Sequence, residues 1–474
     1  MTLKSRLSHR LGLVLGLLLA TTAASQKSTL GSGRWEDPDL WHPPGIPASH
    51  EDVIVQSGHR VTVTGRKEVH SLTVQAEAGL FGEAWGGDVW IQVSGKIENH
   101  GYIAGGRGVS SPEQDLPGGH VILAGDGNAD NLGTILGGSG DVDAYGGMVR
   151  IHIQGDFKNH PGGRIYGGAG GGITNPSGGE GGMVDIIAFG ALENHGLIQG
   201  GAGAASDSFL CGPGGFVYLE GKLSAFNTGA IHGGPGGACG AGICGRNGPV
   251  MVVGRFVMME GRAATLMGST LTVQAEGGPI SLHDLSAGAI QAQNGPLIFI
   301  AGGNLNLTSN AALTVQRMFA GPHVLVLADS VLMDPGVRLE NLIAPTPIIR
   351  KRVRVAARTA PRLGQRFDQE IFSPDDASLP YHAATALSNR FGLILDGFGV
   401  MPVDKDPLFH MSVRGLPPFL NYIGTLDRTG RSTLTIRIPP AASLMGVDLY
   451  TTALVIDPLG GPRNVAPASV VTLR

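Results

Sequence analysis

Three short oxygen- or carboxylate-bearing patterns in this chain have spacings that chemistry uses. Asp126, Asn128 and Asp130, in the run DGNAD, place side-chain oxygens at alternate positions. Calcium loops use this spacing, because a hard cation collects several oxygen ligands. The distal glutamate of such a loop is missing, and the run leads straight into Asn131, so turn chemistry is the competing explanation. Asp141 and Asp143 stand in the following loop and would extend the same oxygen set. Asp185 and Glu220 lie one coil apart on aligned strands, and clustered carboxylates from adjacent coils are what cleavage of glycosidic bonds uses. On strands of this pattern both side chains are expected to face solvent. The third pattern is the trio Glu193-Asn194-His195, whose residue types would suit acid–base work.

The trio is explained by repetition. GKIENHGYIAGG (95–106), GNADNLGTILGG (127–138), GDFKNHPGGRIYGG (155–168), GALENHGLIQGG (190–201) and KLSAFNTGAIHGG (222–234) align. Each carries an asparagine, then a member of an apolar column (Ile103, Ile135, Ile165, Ile198, Ile231), then two glycines. The asparagines are Asn99, Asn131, Asn159, Asn194 and Asn227, at intervals of 32, 28, 35 and 33 residues. A short alternating strand opens each unit: DVWIQV, HVILA, MVRIHI, MVDIIA, FVYLE and PVMVV. A β-rich unit repeating at about 30 residues means a solenoid, here a parallel β-helix with one coil per repeat. Stacked coils turn equal positions into ladders. A ladder asparagine can bond the coils above and below through both ends of its amide, so the five asparagines are structural. His100, His160 and His195 follow three of them, while Leu132 and Thr228 stand at the other two places. The histidines are tolerated turn residues or part of a polar stripe. After Asn227 the column reaches Glu260 and fades, and strands with shorter loops continue to 345.

Composition agrees with this architecture. The chain has 474 residues with 77 glycines, 42% hydrophobic and 15% charged residues, and a net charge of −4. Glycine at about twice its usual share without a G-X-Y period excludes collagen and favours a β fold with many turns, where glycine supplies positive φ. A negative net charge argues against a nucleic-acid partner.

The expected organisation has five parts. Residues 1–25 form a signal peptide: Lys4, Arg6 and Arg10 precede the apolar Leu11–Ala20, and Ala23, Ala24 and Ser25 are the small residues of a cleavage site. The apolar run is too short for a stable span, although an uncleaved anchor is the alternative. The chain is therefore expected to be secreted or held at the cell surface, without stable membrane insertion. Residues 26–85 form an N-terminal β cap, 86–345 the glycine-rich helix, 346–370 a basic linker and 371–474 a small β-sandwich. The linker holds seven Arg or Lys and no acid across 349–366. Arg350-Lys351-Arg352 within it is a candidate proteolytic site, and the segment is a candidate contact for an anionic polymer. In the sandwich, strands are expected at 392–400, 408–413, 432–439, 448–457 and 470–474.

Trp35, Asp37, Pro38, Trp41, Pro47, Asp52, Val53, Gly58, Val61, Leu72 and Val74 follow a pattern that resembles the start of the G-eight domain, a β-rich extracellular module. The chain as a whole resembles extracellular bacterial parallel β-helix proteins, and its C-terminal part resembles modules that end many secreted bacterial proteins. These resemblances imply an extracellular β-helix with carbohydrate or surface roles.

Three cysteines are present. Cys211 and Cys244 share a coil position and are expected to pair in an oxidising compartment. Cys239–Cys244 is the rival small loop. Without CxxC pairs the three make no zinc site, and no GxSxG, HExxH or P-loop occurs. The reading is an exported structural, adhesion or polysaccharide-binding β-helix without catalytic or cofactor-binding residues. Its partner would be polysaccharide or surface matrix on loops 107–118, 139–146, 169–182, 202–214 and 235–248. The alternative is a polysaccharide lyase or glycoside hydrolase on the same scaffold, which needs carboxylates converging on one groove.

Overall fold

The computed structural model describes residues 25–474 except 110–115, 173–177, 206–210, 239–244, 262–263, 277, 284, 286–288, 293–296, 302–303, 309–311, 316–323, 329, 334–337, 341–347, 352, 390–392, 396–398 and 460. The proposed leader before residue 25 lies outside them. No helix among the described residues is long and apolar enough to cross a membrane.

Short alternating strands separated by turns stack into a parallel β-helix. A full coil gives one strand to each of three sheets, as Ile97–Asn99, Tyr102–Ala104 and Val121–Gly125 do. The three sheets contain 13, 12 and 11 described strands. Pairing is parallel and in register, so each inward position forms a column. One column in the first sheet runs Val53, Leu72, Ile97, Ala129, Phe157, Leu192, Ala225, Val257 and Ile280. These residues are buried in one continuous core. Burying one face of every strand stabilises the stack, and register holds because a one-residue slip would turn that face to water.

The helix starts earlier than the glycine runs do. Gln26–Thr29 and Gly33–Arg34 are already rungs of the first and second sheets, so 26–85 is largely β-helix. The cover over its end is smaller: Trp41–His42 pairs antiparallel with Gln26–Thr29. Trp35 and Trp41 meet edge to face there at 5.0 Å, and Trp41 Nε1 donates to Trp35 O at 3.0 Å. Such a cover blocks the open strand edge.

The glycines have a different role from the one expected. Gly105-Gly106 leave the second sheet and Gly118-Gly119 return to the third, and later coils repeat these two arms. Gly106 N donates to Gly87 O, Gly119 N to Gly106 O, and Gly138 N to Gly119 O, all at 2.8 Å. The chain of bonds continues through Gly147, Gly168, Gly182, Gly201, Gly215 and Gly234 to Gly248. Outgoing and returning arms therefore interleave into a backbone-bonded bundle. A Cβ on Gly106 or Gly119 would run into the carbonyl of a neighbouring arm. Neither glycine has positive φ; close approach is what requires them.

At the far end the basic segment is built into strands. Ile348–Arg350 is the last described rung of the third sheet, and Arg354–Ala357 pairs antiparallel with Arg366–Phe372. The 346–370 stretch thus joins the two units through strands, and the sandwich begins before 371. Its four-stranded sheet joins those two strands to Arg431–Arg437 and Phe419–Leu420. The five-stranded sheet is centred on Pro380–Ala386 and Asp448–Ile456. Phe367, Ile371, Tyr381, Phe419, Tyr422 and Leu434 fill the space between. The strand expected at 408–413 is a helix, Pro407–Val413: Asp406 caps it by accepting from Phe409 N at 2.8 Å, and proline occupies its first turn. A capping carboxylate followed by proline starts a helix.

Candidate functional site

The outward face of the second sheet carries an open groove. Its floor is one register column: Arg60, Gly79, Tyr102, Thr134 and Arg164. Gly79 leaves a gap that the Phe81 ring covers, and a Cβ on Gly79 would strike that ring. Phe81 thereby stacks on Tyr102, with centroids 5.8 Å apart and planes 26° apart. The Arg60 guanidinium sits 5.6 Å from the Phe81 centroid. A cation over an aromatic face is attracted by its quadrupole, so Arg60, Phe81 and Tyr102 form one pile along the helix axis.

Beyond Tyr102 the pile stops. Thr134 is short, and Arg164 rises one rung further on. The gap between Tyr102 and Arg164 spans two rungs, about 10 Å between backbones, which leaves room for one ring. Gly101, Gly133 and Gly162 keep the adjoining corner low, while Leu132, His100 and Glu77 form the rim; the groove encloses about 600 Å³. Partial burial raises the Tyr102 hydroxyl pKa, so it stays a neutral donor at physiological pH. Concave sites with an apolar platform and a few placed polar groups are the usual form of a ligand site.

The sequence candidates fall elsewhere. The ladder asparagines stack inside the first corner: Asn99 Nδ2 donates to Asn131 Oδ1 at 2.8 Å, Asn131 to Asn159 at 2.8 Å, Asn159 to Asn194 at 2.7 Å, and Asn194 to Asn227 at 2.7 Å. Asn227 Nδ2 closes the row on Gly229 O at 3.1 Å. Val74 precedes the column and Met259 follows it. Met259, and not Glu260, is therefore the residue after Asn227, because inward alternation places Val257 and Met259 in the core. The histidines diverge. His160 Nε2 lies 2.9 Å from Asp130, and His195 Nδ1 lies 2.7 Å from Thr228 Oγ1, each tying adjacent coils. His100 borders the groove.

The oxygen set at 126–130 is drawn into protein contacts. Asn128 Oδ1 accepts from Asp156 N at 2.9 Å, and Asp130 binds Lys96 at 2.9 Å as well as His160. Hydrogen bonds from His160 and Lys96 outweigh the opposing desolvation, and the Asp130 carboxyl is held below the ordinary range. No group of three or more His, Cys, Asp or Glu among the described residues is placed to hold a metal.

Asp185 and Glu220 do lie on one outward face, that of the third sheet, but they are covered. Asp185 pairs in register with Tyr218, and Ile187 with Glu220, so the two acids stand diagonally. Asp185 is 7% exposed and Glu220 2%. Arg150 Nε and His152 Nε2 reach Asp185 Oδ2 at 2.9 and 3.2 Å. Tyr218 Oη donates to Glu220 at 3.1 Å, and Lys222 Nζ donates at 2.5 Å to Glu220 and at 2.9 Å to Asn389 O of the C-terminal unit. Burial pushes the Glu220 carboxyl up to about 7, with Glu276 adding to the rise and Lys222 opposing it.

The loop face expected to bind partners is, where described, the glycine bundle, whose arms are joined by backbone-to-backbone hydrogen bonds. Cys211 is described, with Sγ 3.2 Å from Ala238 O; Cys239 and Cys244 lie outside the described residues. In the basic segment Arg358 pairs with Glu370, and Arg366 with Asp368 at 2.8 Å. Sequence reading missed the groove, although its signal was present. Tyr102, Thr134 and Arg164 each stand immediately before a column isoleucine. The repeat alignment therefore already placed them side by side and facing out.

Compared with family models, with curated proteins and with solved structures, the chain matches none.

Proposed function

We propose that this protein is an exported polysaccharide-binding β-helix acting at the cell surface or in its matrix, without catalysis, and that the second-sheet groove is where it binds. One observation carries the reading: the stacked rings of Phe81 and Tyr102 line an open groove that ends at Arg164. A flat aromatic face beside polar groups suits a sugar ring, whose C–H face packs on the aromatic while its hydroxyls reach polar neighbours. A ring stacked on Tyr102 lies across the helix axis, so the linkages of a polymer leave toward the open sides of the slot. The apolar run at 11–20 and the G-eight-like residues between Trp35 and Val74 support export.

The test is binding of secreted protein to a panel of acidic and neutral polysaccharides by pull-down and calorimetry, with Tyr102→Ala beside the natural protein. The expected result is binding to at least one polymer that weakens about tenfold or more in the variant, at unchanged melting temperature. No binding across the panel, or binding indifferent to Tyr102, would count against it.

Cleavage is the second reading, favoured by the near-neutral carboxyl of Glu220. The cover over Glu220 and Asp185 weighs against it, since a general acid must reach its substrate. Release of new reducing or unsaturated ends, abolished by Glu220→Gln, would establish it.

A further inference from the structure

We infer that the groove selects an acidic sugar polymer, with a uronate carboxylate seated on Arg164 and its ring in the slot against Tyr102. This rests on the polysaccharide reading above and names the class of sugar.

The argument is one of charge left unpaired. On the neighbouring faces, four basic side chains are matched within the protein. Arg66 holds Glu68 at 3.0 Å, Lys96 holds Asp130 at 2.9 Å, Lys158 holds Glu193 at 2.8 Å and Arg150 holds Asp185 at 2.9 Å. Arg60 and Arg164, at the two ends of the groove, have no ion-pair partner among the described residues. Arg60 is already engaged by the Phe81 ring, and Glu77, the single acid of the lining, stands on the adjoining rim. Arg164 has neither. Its guanidinium is exposed, and its backbone N–H is spent on Gly133 O at 2.8 Å.

A guanidinium fork matches a carboxylate in two parallel hydrogen bonds. A uronate ring lying on Tyr102 sits at the level of the Thr134 rung with its carboxylate near the ring plane, one rung from Arg164, whose long side chain can reach back to it. Thr134 has a hydroxyl there for a ring oxygen. A neutral sugar would use the platform and leave the guanidinium unanswered, so the Arg164 end decides selectivity and the Tyr102 face supplies general affinity.

Three probes separate the outcomes: polygalacturonate, the same polymer with its carboxyls methyl-esterified, and dextran. Full-length secreted protein is titrated with each at low and high salt. The variants are Arg164→Ala, Arg164→Lys, Tyr102→Ala and, as a charge control outside the groove, Arg255→Ala. The natural protein is expected to hold polygalacturonate about tenfold or more tighter than its ester, with a preference that shrinks in high salt. Arg164→Ala should abolish the preference, Arg164→Lys should restore part of it, and Arg255→Ala should leave it intact.

Equal binding of polygalacturonate and its ester, lost in Tyr102→Ala, would overturn the acidic selectivity while leaving the sugar reading in place. A preference unchanged in Arg164→Ala would overturn the seat. Binding of none of the probes, with other polysaccharides bound through Tyr102, would overturn the uronate class alone; binding of no polysaccharide at all would overturn both.

Discussion

Asn159 occupies the middle of the row, where its amide donates to one coil and accepts from another. Alanine there strands Asn131 Nδ2 and Asn194 Oδ1 in a closed corner. Each unpaired buried group costs about 1–3 kcal/mol, so Asn159→Ala should destabilise by about 2–5 kcal/mol. A lowered guanidinium midpoint with unchanged slope measures this; a shift under 0.5 kcal/mol would mean that water replaces the amide. This row was legible because its period is written in residue identity. Glu220 shows the limit. Its strand position could be read, but its partner Lys222 is also held by Asn389 O, 167 residues further along the chain. With a folded pKa of about 7 against an ordinary 4.5, Glu220 keeps its proton in the folded state where the unfolded chain has lost it. Stability is unaffected below about pH 4.5, falls as pH rises from there to about 7, and stays lowered above; the full effect is about 3 kcal/mol. Glu220→Gln should flatten stability across that window in denaturation curves from pH 4.5 to 7.5. An unchanged slope there would show that Glu220 titrates normally.

Among the elements, the glycine arms make the sharpest demand. Gly119→Ala puts a methyl against Gly87 O and Gly106 N, both backbone atoms of packed arms. Gly162→Ala meets only Leu132 O, at 3.6 Å. Overpacking against backbone that cannot move costs about 1–3 kcal/mol or more, so Gly119→Ala should lower the melting temperature clearly. Gly162→Ala should stay within about 0.5 kcal/mol of the natural protein. Similar melting of both variants would show that the arms breathe enough to admit a side chain. Sequence reading found these arms as loops but assigned their glycines to positive φ, because composition alone cannot distinguish a turn from a close approach. The helix at Pro407–Val413 was misread for a related reason: seven residues are too few to show periodicity, and the Asp406-Pro407 start was the informative signal.

At the scale of the molecule, the third sheet records where the sandwich docks. Val149–Ile153 alternates buried and half-exposed positions, as a strand with one wet face does. From Val184–Ala188 to Leu297–Ile300 every described position is buried. The runs VMVV and LIFI carry this in sequence, since continuous apolar strands are covered on both faces; what covers them was not written there. Ile298, Ile300 and Leu327 meet Ala384, Ala386, Met401, Val403, Phe409 and Val465 in one cluster. Val403 is fully buried in that cluster and outside the sandwich's own core. Val403→Asp should therefore separate the two units without unfolding either, because an unpaired carboxylate in an apolar junction is costly. The expected readout is faster tryptic cleavage within 350–366, where seven basic residues lie, yielding two fragments that each resist further digestion. Cleavage at the rate of the natural protein would mean that the strands crossing this segment hold the units together without the apolar junction. Wholesale digestion would mean that the β-helix depends on the sandwich to close its third sheet.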